Sequence, residues 1–209
     1  MVVICFCIEK NSRENEPKPK TFKNLSLFCL IMPQKPTVTG TFTPEHILTE
    51  DSDSARDLYN QSVFGTIANK KRVHLSFVEA LYLMQKSRLR VFDGRKKELS
   101  DEEFIRKARK KDPNFLTRLI VFSDLRDRGY IVKTALKFGG DFRVYDRGVK
   151  PGEDHAKWVV FPVHESSFLT WYEFAAKNRV AHSTRKRLLL AVVDAEDDVS
   201  YWESRWIRP

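Results

Sequence analysis

The chain has 209 residues, 42% of them hydrophobic, which is enough for one sizeable core or two small ones and argues against wholesale disorder. Its formal net charge of +9 favours a polyanionic partner, because Lys and Arg that neutralise phosphates release counterions, although an indifferent basic surface carries the same charge. All three cysteines, Cys5, Cys7 and Cys29, precede Met32, so the remaining chain has neither a disulfide framework nor a cysteine-based zinc site.

The first 31 residues read as a leader or disordered extension, and translation starting at Met32 is the alternative. Lys10 to Lys23 is polar and contains proline. The apolar run Leu25 to Ile31 is too short to span a membrane and has no small-residue cleavage site, so it is neither anchor nor secretory signal, and a cytoplasmic location is expected.

Residues 32–111 are expected to form a small α/β domain. Glu45 to Gln61 is polar and reads as loop or short helix; Val63 to Ile67 and Arg72 to Leu75 read as strand pieces around the basic turn Asn69-Lys70-Lys71. Ser76 with Glu79 forms a capping box that opens a helix with Phe77, Ala80, Leu81 and Met84 on one face. The strand Leu89 to Phe92 stops at Asp93-Gly94. Ser100 and Glu103 repeat the capping pattern before a helix carrying Arg106, Lys107, Arg109, Lys110 and Lys111, which serves as a solvated face or a phosphate contact.

Asp112-Pro113 marks the seam to a second domain, residues 112–209, since Asp caps helices and Pro tolerates a first turn. The helix from Phe115 to Asp127 is expected to bury Leu116, Leu119, Ile120 and Phe122 or Ser123, and to end at Gly129. Two apolar strands joined by Gly139 and Gly140 follow, then a strand from Lys157 to Val163 and a helix starting near Ser166 or Ser167. Two last strands span Leu188 to Asp194 and Val199 to Trp206. The chain contains no internal repeat, P-loop, dinucleotide fingerprint or HExxH motif. A central sheet with flanking helices makes the fold α+β.

The stretch Val132 to His155 organises the second half. It delivers Tyr145 from a strand end into a Gly- and Pro-containing loop that closes at His155, two proton carriers that a sheet can hold close together. Downstream, Lys186 stands at the entrance of the strand that starts at Leu188. Singly, each has an ordinary role: a tyrosine capping a core, an exposed histidine, a solvated lysine.

Together, RGYIVKTALKFGGDFRVYDRG, His155, the SSFL at Ser166 to Leu169 and RVAHSTRKRLLLAVVDAE resemble the catalytic half of the archaeal tRNA-splicing endonucleases (tRNA-intron lyases), over roughly Phe115 to Pro209 and more weakly through LSFVEALYLM. The resemblance implies a restriction-endonuclease-like core with a central mixed sheet, and a catalytic trio at Tyr145, His155 and Lys186. It also implies cleavage of precursor tRNA at bulge-helix-bulge intron junctions by the RNA's own 2′-hydroxyl, leaving a 2′,3′-cyclic phosphate and a 5′-hydroxyl, with no metal or other cofactor. Free imidazole titrates close to neutrality and suits the general acid at His155, while a phenol ionises far above it. Tyr145 is therefore base or orienter, helped by the Lys186 cation, and Lys186 itself is assigned to the charged transition state.

The same resemblance assigns the grip on bulged nucleotides to Arg179, with Tyr201 or Trp202 as its partner. Lys133, Lys137, Arg143 and Arg147 are further candidates for phosphate contact. One trio per chain against two scissile bonds per RNA implies a homo-oligomer, or a heterotetramer with a structural subunit, with the acidic turn Ala195 to Asp198 entering a basic cleft of a neighbour. Two other readings compete: a metal-dependent nuclease using Asp194, Glu196, Asp197 and Asp198, and a non-catalytic RNA-binding subunit.

Overall fold

Capping chemistry fixes where most helices begin. In the computed structural model, which describes residues 38–67, 72–135 and 140–207 and the backbone of Phe6–Cys7, Ser76 and Glu79 form the reciprocal box. The Ser76 hydroxyl accepts from the Glu79 N–H, and the Glu79 carboxylate accepts from the Ser76 N–H at 2.9 Å. The helix so opened, α2 (Phe77–Gln85), buries every residue from Val78 to Leu83. The one-sided face expected for it is therefore too narrow, because β-strands lie on one side and α4 on the other. At Ser100 only half the pattern forms: its hydroxyl caps α3 (Asp101–Arg109), but the Glu103 carboxylate turns to Lys97 at 2.6 Å.

Residues 38–92 build a five-stranded sheet in the order β4-β5-β3-β2-β6, from β2 (Val38–Phe42), β3 (Ile47–Thr49), β4 (Thr66–Ile67), β5 (Val73–Leu75) and β6 (Leu89–Phe92). The polar stretch expected to be loop or short helix holds both β3 and α1 (Asp53–Asn60), the latter capped by Ser52. The strand expected from Val63 shrinks to Thr66–Ile67. Val63 and Gly65 take left-handed φ of 57° and 66°, and a side chain at Gly65 would strike the His74 carbonyl at 2.4 Å. The turn Asn69-Lys70-Lys71 lies outside the described residues, as do the leader from Met1 to Ile31 except for the backbone of Phe6–Cys7 and the strand connection 136–139 with Lys137 and Gly139.

The second sheet has the order β1-β11-β10-β9-β8-β7, from β1 (Phe6–Cys7), β7 (Ile131–Thr134), β8 (Phe142–Tyr145), β9 (Trp158–His164), β10 (Arg187–Val193) and β11 (Val199–Ser204). It is mixed: β9 and β10 run parallel and the other neighbours antiparallel. With five helices and two mixed sheets among the described residues, the fold is α+β, as expected.

Helix α4 (Phe115–Asp127) covers one face of this sheet. Its N-cap is Asn114 rather than Asp112, whose carboxylate instead accepts from the Asn114 N–H and from Arg118. It buries Phe115, Leu119, Val121, Phe122 and Leu125, whereas Leu116 points outward; packing against α2 and α3 as well as the second sheet turns the helix from the expected face. Helix α5 (Trp171–Ser183) covers the other face with Phe174 and Ala181 on Val159, Phe161 and Leu188. It starts four residues later than Ser167, because Thr170 and Glu173 supply the complete capping box.

The two sheets share one core running through α2 and α4. Polar ties reinforce it: the Tyr82 hydroxyl donates to Asp127 at 2.8 Å, and the Arg126 guanidinium to the Ser62 carbonyl at 2.7 Å. The Lys133 amine donates to the Gly65 carbonyl at 2.5 Å.

Candidate active site

Strand register brings Tyr145 and Lys186 to one end of the second sheet. Val144 pairs with Trp158 on β9, and Trp158 pairs with Arg187 on β10. One residue further out, the Lys157 N–H donates to the Val144 carbonyl at 2.9 Å and the Arg187 N–H to the Lys157 carbonyl at 3.0 Å. Tyr145 and Lys186 thus flank Lys157, two strand spacings or roughly 10 Å apart along the backbone. Phe142, Val144, Trp158, Leu189 and Ala191 point into the core on the α4 side. Alternation then puts Arg143, Tyr145 and Lys186 on the opposite face. The ring of Tyr145 is buried.

Lys186 is held by the way α5 ends. Thr184 is the C-cap, Arg185 takes a left-handed φ of 56°, and the N–H groups of Arg185 and Lys186 donate to the carbonyls of His182 and Ala181 at 2.9 and 2.8 Å. This doubly bonded turn fixes the lysine's backbone where the chain enters β10. Its amine donates to the Thr184 carbonyl at 2.9 Å, a contact that favours the cation. Burial, and next the positive charge of Arg143, push the amine's pKa below the ordinary lysine value.

His155 sits at the same end, three residues before β9. Its loop consists of two tight turns, Asp146 to Val149 and Lys150 to Glu153, in which Gly148 and Gly152 adopt φ of 79° and 103°. A bridge between Pro151 and Asp154 closes it, and the Asp154 carboxylate accepts the His155 N–H at 2.6 Å. The imidazole is exposed and Ala156 behind it is buried, so the loop presents the ring outward from an anchored base.

The other sequence candidates separate. Arg179 lies exposed on α5, and Trp202 is 39% exposed on β11. Tyr201 turns to the other face, where its hydroxyl donates to Asp124 at 2.7 Å, which leaves Trp202 as the aromatic on the face of Lys186. Trp206 meets His182 edge-on at 4.3 Å between ring centroids. Arg147 lies over the Tyr130 ring at 5.0 Å and is exposed. Lys133 departs from its expected role: it is 7% exposed and its amine is held by Gly65, so a phosphate contact would require breaking that tie.

A cleft opens beside the site between the two sheets, lined by Tyr59, Thr66, Lys133, Arg143, Lys150 and Pro151. Sequence reasoning placed Arg143 only among phosphate candidates; its i, i+2 relation to Tyr145 was the available signal for its place on the same face. At the far end of β10, Asp194 shapes the acidic turn by accepting from the N–H groups of Glu196 and Asp198, and leaves Glu196, Asp197 and Asp198 exposed. Among the described residues, no three or more His, Cys, Asp or Glu side chains gather in a way that can hold a metal ion.

A basic chain with a phenol, an imidazole and an ammonium gathered at one sheet end has the groups that proton transfer at a phosphate needs. Residues 115–201 match the tRNA intron endonuclease catalytic C-terminal domain, and residues 38–105 match the tRNA intron endonuclease N-terminal domain. Three archaeal relatives are each described as a tRNA-splicing endonuclease. That of Thermococcus onnurineus is 43% identical over 164 residues, 78% of this chain and 93% of the relative. That of Nanoarchaeum equitans is 48% identical over 141 residues, 65% and 90% of the two chains. That of Methanothermobacter thermautotrophicus is 37% identical over 172 residues, 82% and 99%. The chain belongs to the tRNA intron endonuclease family.

Proposed function

We propose that this chain is a catalytic subunit that excises introns from precursor tRNA by cutting bulge-helix-bulge junctions. The observation that carries the reading is the placement of Tyr145, His155 and Lys186 at one end of a single sheet in a chain whose catalytic-domain match spans all three. In the proposed reaction Tyr145, as its phenolate, takes the proton of the 2′-hydroxyl, or as the phenol orients it towards a water that takes it, and the 2′-oxygen attacks phosphorus. The bond to the 5′-oxygen breaks as His155 donates a proton to it. The Lys186 ammonium stabilises the charge that builds on the phosphoryl oxygens. The products are a 2′,3′-cyclic phosphate and a 5′-hydroxyl, and no step calls for a metal ion.

Substrate positioning falls to Arg179 and Trp202, one exposed on α5 and the other on the same face of the sheet, as a cation and an aromatic able to sandwich a splayed base. Arg147 is exposed at the rim as a phosphate contact. The active form is an oligomer, homomeric or paired with a structural subunit, because one RNA offers two scissile bonds and each chain one trio. The exposed acidic turn Ala195 to Asp198 is complementary in charge to a basic cleft of a neighbour, and seated there it would orient the assembly. The residues before Met32 are read as dispensable for cleavage, residues 32–111 and 112–209 as its two domains, and the cytoplasm as its location. Among the described residues no helix is long and apolar enough to cross a membrane.

Replacing the ribose at the scissile linkage by 2′-deoxyribose tests the reaction class. Cleavage at that junction is expected to stop while the second junction is still cut. Continued cutting at the deoxy linkage would rule out attack by the 2′-oxygen.

A further inference from the structure

Besides Lys157, whose amine pairs with Asp146 at 3.0 Å, three cations line up on the sheet face opposite α4: Lys133 on β7, Arg143 directly across from it on β8, and Lys186 at the entrance of β10. Arg143 stands two residues before Tyr145, on the same face, and lines the cleft beside Lys150 and Pro151 of the loop that presents His155. Its charge lowers the pKa of Lys186 next after burial, and adds to the lowering at Lys133, where burial comes first, the Glu79 carboxylate opposes it and Arg126 precedes it. Like charges gathered in a partly desolvated place oppose one another in the free protein, and an anion between them relieves that opposition. Lys186 and Arg143 are also chemically distinct. An ammonium is a point charge, whereas a planar guanidinium engages two oxygens of one phosphate at once.

We propose that Arg143 is the second cation of the cleavage site, its guanidinium binding the non-bridging oxygens of the scissile phosphate alongside Lys186. The inference rests on the reading of Tyr145, His155 and Lys186 as the cleavage trio. Arg143 transfers no proton. The 2′-oxygen bonds to phosphorus as its proton leaves towards Tyr145, the bond from phosphorus to the 5′-oxygen breaks, and that oxygen takes its proton from His155. Arg143 holds the phosphoryl oxygens so that the attacking and departing oxygens stay in line.

Sulfur substitution at the phosphate tests this contact directly. Single-turnover cleavage is measured for the wild type, Arg143→Gln and Arg143→Lys on RNA with an ordinary scissile phosphate and with each non-bridging phosphorothioate diastereomer. The wild type is expected to be slowed by sulfur in at least one diastereomer. Arg143→Gln should cut ordinary RNA about 10²-fold more slowly. Its sulfur effect should shrink towards unity, because perturbations at a shared contact are not additive. Arg143→Lys should recover part of the rate, and melting temperatures should stay within a few degrees of the wild type. Equal sulfur effects in wild type and Arg143→Gln would overturn the proposal, as would the absence of any sulfur effect in the wild type. A fall in oligomeric mass with an unchanged single-turnover rate would also overturn it, assigning Arg143 to a subunit contact. If Arg143→Gln fails to fold, the Arg143→Lys comparison decides: a sulfur effect identical to wild type refutes the contact. Failure of the trio reading is distinguishable, since His155→Ala or Lys186→Ala would then cut ordinary RNA at the wild-type rate.

Discussion

Truncating Lys133 separates a structural tie from an RNA contact. Its amine is 2.5 Å from the Gly65 carbonyl, and the Glu79 carboxylate nearby accepts the Gly65 N–H at 2.8 Å and favours the lysine's charge. Lys133→Ala removes a charge-assisted hydrogen bond between the two sheets, worth about 1.5–3 kcal/mol, and leaves the carbonyl in a buried setting. For a chain of this size about 1 kcal/mol corresponds to 2–4 °C, so the melting temperature should fall by about 3–12 °C. Lys133→Met keeps the apolar stem and removes the cost of desolvating an ammonium, so it should lose about half as much. Melting followed by circular dichroism, paired with RNA affinity against salt, gives both readouts. An unchanged melting temperature with weaker affinity and a shallower salt dependence would refute the tie and restore Lys133 as a phosphate contact.

The remaining expectations concern the site, its support and its assembly. His155→Ala and Lys186→Ala should each lower single-turnover cleavage by about 10²-fold or more with RNA affinity nearly intact, measured by binding of an uncleavable 2′-deoxy substrate; wild-type rates in either would remove that residue from the trio. Because burial and Arg143 depress the Lys186 pKa and the cation is the working form, the rate should fall as pH rises through that lowered value. Arg143→Gln should therefore move the alkaline limb of the pH–rate profile to higher pH. Gly140→Ala places a Cβ 2.3 Å from the Val159 side chain and 3.4 Å from Phe161, and should cost about 1–3 kcal/mol or more in urea unfolding. Asp197→Lys with Asp198→Lys should reduce the mass measured by light scattering and abolish paired cutting, whereas an intact assembly would exclude the acidic turn as its contact.

The elements that carry the candidate site were legible in the sequence where chemistry is local. Tyr145 at a strand end, His155 closing a loop with Gly148 and Gly152, and Lys186 at a strand entrance could be placed on their elements without coordinates. So could the box of Ser76 and Glu79. Their convergence was not legible from spacing alone, because it depends on the parallel pairing of β9 with β10 across a long crossover through α5. Tertiary context also decided burial. Helix α2 is enclosed on all sides rather than on one face, and α4 is rotated so that Val121 and Leu125 are inside and Leu116 outside. Side-chain type misled at Lys133: a basic residue on a strand reads as a phosphate contact, whereas a backbone carbonyl of a distant turn holds it. At Ser166 and Ser167 the helix start was missed because neither serine has an acid three residues on, as Thr170 has in Glu173.

The central claim is that the RNA cuts itself through its 2′-oxygen at a trio that needs no metal. The most direct measurement is to incubate the purified chain with a bulge-helix-bulge RNA in excess EDTA and identify the ends by mass spectrometry. The account predicts unimpaired cutting at both junctions, with 2′,3′-cyclic phosphate and 5′-hydroxyl ends. Loss of cleavage in EDTA that added divalent cation restores, or 5′-phosphate and 3′-hydroxyl ends, would contradict it.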